Sequence, residues 1–134
     1  MFLRLQATID RERLIMAKIN ARIVKVKALG GTTTNAEKFT AEAKMHLDEA
    51  QKALDLLKST AISDFELNAQ AEATTTNASI TGETMKKMRS ITADVEKHLR
   101  EAHKALTNAL NSLRGMSSTN VNASSTTQVN TTNN

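Results

Sequence analysis

Not one proline falls among the 134 residues, and only four glycines do. Proline and glycine supply the tight reversals that many-stranded sandwiches and barrels depend on, so the chain is left with long helices. The apolar residues agree. Between positions 2 and 29 they recur every seven residues, with Phe2, Ile9, Met16 and Ile23 in one row and Leu5, Ile19 and Val26 in the other; Glu12 breaks the second row. This spacing predicts an amphipathic helix of coiled-coil type over about 2–29. Gly30 and Gly31 end it, because glycine takes the left-handed cap conformation without a Cβ penalty.

Thr34-Asn35-Ala36-Glu37 matches a capping box and opens a second helix after a short connection, which makes the first pair an antiparallel hairpin. This helix runs over about 35–58, with Ala36, Phe39, Ala43, His46, Leu47, Ala50, Ala53, Leu54 and Leu57 along one stripe. Ser63-Asp64-Phe65-Glu66 allows continuation to 72. Residues 73–82 have turn chemistry and no helical period, and read as a linker. A third helix spans about 83–114, with Met88, Ile91, Val95, His98, Leu99, Ala102, Ala105, Leu106, Ala109, Leu110 and Leu113 inward, and Gly115 stops it. Fourteen of the last 18 residues are Ser, Thr or Asn, so a tail over 116–134 is expected to stay disordered. The expected fold is all-α, an elongated antiparallel three-helix bundle over 1–115. The direction of the third helix is left open by the pattern.

Two segments repeat at an offset of 52 residues: His46-Leu47-Asp48-Glu49-Ala50-Gln51-Lys52-Ala53-Leu54 aligns with His98-Leu99-Arg100-Glu101-Ala102-His103-Lys104-Ala105-Leu106. Two copies fall short of a solenoid and indicate instead two helices with the same packing task. Together with Arg22-Ile23-Val24-Lys25, Gly30, Thr34, Ala36-Glu37, Ala43-Lys44 and Glu96-Lys97, these residues resemble a group of uncharacterised small, charged, helical proteins of candidate-phylum bacteria. The resemblance covers about 15–115 and implies a long helical hairpin in an extracytoplasmic setting. It brings no activity, cofactor or functional residue. Members usually carry an N-terminal secretion signal, whereas the start of this sequence lacks the apolar core and cleavage site of one.

The net charge of +4 is unevenly spread, at +5 over 1–31, −4 over 35–72 and +3 over 73–115. An acidic segment between two basic ones suits helices that pack on one another. With no cysteine, disulfides, thiolate metal sites and thiol chemistry are excluded. No run of about 18 apolar residues is present to cross a membrane. His46 and His98 occupy equivalent inward positions, each with an acid three residues later (Glu49, Glu101) and four earlier (Glu42, Asp94). Residues three and four apart share a helix face, so His46, Glu49, His98 and Glu101 are the candidates for a metal site between facing helices, although the order is His-x-x-Glu and not Glu-x-x-His. Histidines packed beside acids at the core edge are the plainer expectation, and His103 falls on the polar side. Arg11 with Arg13, Lys25 with Lys27, and Lys86-Lys87 with Arg89 could meet phosphates, but only three phenylalanines are available for base stacking.

No nucleophile elbow or phosphate loop is present, and no catalytic residue or cofactor is expected. The expected function is a non-enzymatic structural or protein-interaction module, a spacer or scaffold working with a second copy or another protein. One alternative is an anion-binding surface for nucleic acid or acidic lipid, formed by helices 1 and 3. A second is a metal-binding bundle through His46 and His98.

Overall fold

A computed structural model describes residues 1–71 and 82–119, all as helices and one connecting turn: α1 Phe2–Ala28, α2 Thr34–Ala71 and α3 Gly82–Thr119. At 1.5 Å per residue, α1 is roughly 40 Å long and the 38-residue α2 and α3 roughly 57 Å each. No described helix is long and apolar enough to cross a membrane.

The chain reverses after α1 through a Schellman motif. Gly30 N–H donates to the Lys27 carbonyl and Gly31 N–H to the Val26 carbonyl, while Gly30 takes φ +78°. The start of α2 lies one residue earlier than the capping box implies. Thr33, not Thr34, is the flanking residue: its carbonyl accepts the Glu37 N–H at 2.9 Å and its hydroxyl donates to Glu37 Oε1 at 2.8 Å. Lys27 reaches over from α1 to the same carboxylate oxygen at 3.0 Å, which ties the two helices together at the turn.

Three further helix ends lie beyond the spans 35–58 and 83–114. α2 continues without a break to Ala71, the continuation that Ser63-Asp64-Phe65-Glu66 allowed, and the Ser59 and Thr60 hydroxyls bond back to the Leu56 carbonyl within the helix. α3 begins at Gly82 and runs through Gly115 to Thr119, so the first four residues of the expected tail are helical. A glycine inside a helix costs only about 1 kcal/mol, too little to force a stop on its own. The rest of the expected tail, 120–134, and the expected linker up to 81 lie outside the described residues.

The apolar stripes meet as two clusters placed end to end. One unites Phe2, Leu5 and Ile9 of α1 with Leu54 and Leu57 of α2 and Met88, Ile91 and Val95 of α3. The other unites Ile19, Ile23 and Val26 with Ala36, Phe39 and Ala43 and with Ala105, Leu106, Ala109 and Leu113. The start of α1 therefore lies beside the end of α2 and the start of α3. This makes α3 parallel to α1 and antiparallel to α2, an up-down-up bundle. Beyond Phe2, α2 and α3 project past the end of α1, and an open groove of ≈ 480 Å³ there is lined by Phe2, Lys58, Ala61, Ile62 and Glu66.

Candidate functional site

Polar side chains enter the bundle where the two apolar clusters meet, with one pair at each helix–helix boundary. Between α2 and α3, His46 and His98 stand opposite each other with their Nδ1 atoms 3.3 Å apart. Their ring centroids are 5.6 Å apart, the separation reached when both facing nitrogens lie near the line of centres. Such a head-on approach suits one ring donating its N–H to the lone pair of the other. A metal ion bound by both would have to sit off that line, with the lone pairs converging on it.

The acids expected beside the histidines turn elsewhere. Glu49 Oε1 accepts Lys52 Nζ at 2.8 Å, and Glu101 lies 4.0 Å from Lys104 Nζ. The hydrogen bond from Lys52 holds the Glu49 carboxyl below the usual carboxylate range, and the same contact raises Lys52. Glu42 and Asp94 are exposed. Thus the structure brings together the two histidines of the candidate set but not Glu49 and Glu101, and among the described residues no three His, Asp or Glu side chains gather as a metal ion would require.

Between α1 and α3, Glu12 corrects the sequence reading. It does not interrupt the inward stripe but occupies it, with 8% of its surface exposed, and its Oε1 lies 3.1 Å from His103 Nδ1. Its Oε2 is buried with no hydrogen-bond partner among the described residues. His103 is exposed, as expected of the polar side, yet it is the cross-helix partner of this carboxylate. Between α1 and α2, Arg13 lies 3.6 Å from Asp48, whose carboxyl is held below its usual range chiefly by a hydrogen bond from Lys44.

The most extensive feature is on the opposite side of α1. Leu3, Ala7, Leu14, Ala17, Ala21, Val24 and Ala28 form a second seven-residue repeat, interrupted only by Asp10, and every one of them is exposed. The large members are open to solvent to an unusual degree, at 88% for Leu3, 66% for Leu14 and 67% for Val24. Alongside runs a row of cations at the same period, Arg4, Arg11, Lys18 and Lys25, with Arg22 beside it, all exposed. Of the seven basic residues before position 32, Arg13 and Lys27 reach acids of α2. The other five have no acidic partner within 4 Å among the described residues. This face was readable in the sequence as two rows displaced by one and by two positions from the inward ones, but the bulkier inward residues dominate the pattern.

No protein-family model matches the chain, and neither does any curated protein or solved structure.

Proposed function

We propose that the chain is a non-enzymatic structural and protein-interaction module, a three-helix rod whose working surface is the outer face of α1. The observation that carries this reading is the exposed seven-residue apolar repeat from Leu3 to Ala28. A solvent-facing helix surface is normally polar, and an apolar stripe along its whole length is the pattern of a seam awaiting another helix. The alanines within it let a second backbone come close.

Sedimentation velocity tests this. At low salt the five cations beside the stripe repel and the chain should stay monomeric. In about 0.5 M sulfate, which screens charge and strengthens apolar burial, it should associate with rising concentration. The exposed substitutions Leu14→Glu and Val24→Glu should abolish that association. A monomer throughout in high sulfate would remove the outer face as an adhesive surface.

The unpaired cations also favour a second reading, an anion-binding surface. Because α3 is parallel to α1, exposed Lys86, Lys87 and Arg89 lie toward the same end of the rod as Arg4. Binding to duplex DNA or acidic vesicles that weakens steeply with salt would support it.

A further inference from the structure

We infer that the outer face of α1 docks an acidic, heptad-patterned α-helix of another protein, whose carboxylates meet Arg4, Arg11, Lys18 and Lys25 while its apolar side chains fill the seam from Leu3 to Ala28. This inference rests on the reading of that face as the working surface, and adds the chemistry of the partner.

Charge selects among the possible occupants. In a two-helix seam the positions flanking the apolar rows face their counterparts across the interface. Here one flank is basic at four successive turns of the repeat. The other flank holds Gln6, Arg13, Asn20 and Lys27, with no acid. An antiparallel second copy would oppose cation to cation, and a parallel one would set Arg13 against Lys18 and leave the other cations facing Gln6 and Asn20 with no acid, so the seam disfavours a second copy and favours glutamate or aspartate. The seven-residue spacing of the cations matches a partner that also repeats every seven, which a helix does and a disordered acidic tail does not.

A membrane surface fits less well. Interfacial helices present a broad face of large side chains, often aromatic, whereas this stripe has three large aliphatic residues and four alanines. Asp10 stands within it, an anion that would face acidic headgroups. In a helix pair the same residue has a use. A polar side chain at one seam position fixes register, and Asp10 calls for a basic or hydrogen-bonding residue opposite. Its present bond, from Gln6 Nε2 at 3.2 Å, is exposed and open to exchange.

Fluorescence anisotropy of labelled peptides against the full chain provides the test. Three synthetic helices of about 28 residues, long enough to span α1, share a Leu/Ala seam and carry Glu, Gln or Lys at the flanking positions. Vesicles of phosphatidylserine with phosphatidylcholine, and duplex DNA, are run in parallel. The Glu peptide should bind at least tenfold more tightly than the Gln peptide at low salt, with the gap closing at about 0.5 M, and the Lys peptide should not bind. The variant Arg11→Glu with Lys18→Glu should lose at least tenfold for the Glu peptide while keeping the wild-type melting temperature, since neither side chain has a partner among the described residues.

Equal binding of the Glu and Gln peptides would overturn the acidic partner and leave the apolar seam standing. Binding of no peptide, together with a monomer in high sulfate, would overturn both. Binding of vesicles or DNA with no peptide bound would give the face to an anionic surface instead.

Discussion

The turn after α1 places different demands on its two glycines. Gly30 has φ +78°, a conformation that costs any residue with a Cβ about 1–2 kcal/mol, but open space surrounds it. Gly31 has no such φ, yet a Cβ there would stand 2.6 Å from Val26 Cγ1 and 3.1 Å from the Val26 carbonyl oxygen. Gly30→Ala should therefore lower stability by about 1 kcal/mol whatever its neighbours. Gly31→Ala should be at least as costly but partly relieved by Val26→Ala, and thermal melts of the two single variants and the double variant would show the difference. Glu12 makes the opposite prediction. A half-satisfied buried carboxylate is expensive, so Glu12→Leu, which completes the inward row, should raise the melting temperature by a few degrees. His103→Ala should lower it by removing the partner that Glu12 Oε1 has among the described residues. Equal melting temperatures for both variants would mean that solvent satisfies Glu12.

At the scale of the helix, the apolar stripes made the existence and inward face of all three elements legible, and their ends less so. Among the described side chains, every buried apolar residue of α2 and α3 lies on the stripe read from the sequence. What was not legible depended on a second element. Glu12 looks like a break until α3 supplies His103, and Thr33 looks like loop until Glu37 and Lys27 converge beside it. Gly115 looks like a stop because a sequence does not reveal whether a glycine adopts a left-handed conformation.

The lysine–carboxylate clamps, one from α1 to α2 and two within α2, make a pH prediction. The hydrogen bonds from Lys27 to Glu37, Lys44 to Asp48 and Lys52 to Glu49 hold all three carboxyls below their ordinary range. Groups lowered in the fold stabilise it at neutral pH, and that contribution is lost as pH falls through the lowered values. The melting temperature should therefore hold from neutrality to about pH 5 and decline in more acid solution, by little for each pair because all are exposed. Glu37→Gln should flatten part of that decline. A melting temperature that rises on acidification would contradict it. Packing is less forgiving, since Ala43, Ala50 and Ala109 have no exposed surface. Ala50→Leu should cost about 1–3 kcal/mol through forced helix separation, measured by urea unfolding.

For the molecule as a whole, the direction of α3 was the largest gap in what the sequence could specify. An apolar stripe looks the same read up or down, and only the joining of Phe2 with Leu57 and Ile91 in one cluster decides the matter. The same arrangement predicts where the rod opens first. α2 and α3 run together for most of their length, while α1 is shorter and covers only part of their groove. Amide hydrogen exchange should be slowest over about 43–57 and 91–109 and faster in α1 and beyond Lys58.

The 3.3 Å contact between His46 and His98 has a consequence of another kind. These residues are counterparts in the 52-residue repeat, so in the antiparallel α2–α3 pair a position meets its own equivalent. Only a local two-fold axis does that. It passes between the two imidazoles, and the same symmetry relates Lys52–Glu49 to Lys104–Glu101 and the back-bonded hydroxyl of Thr40 to that of Thr92. About that contact the α2–α3 pair is thus arranged as an isologous interface is, each helix offering the other the same residue.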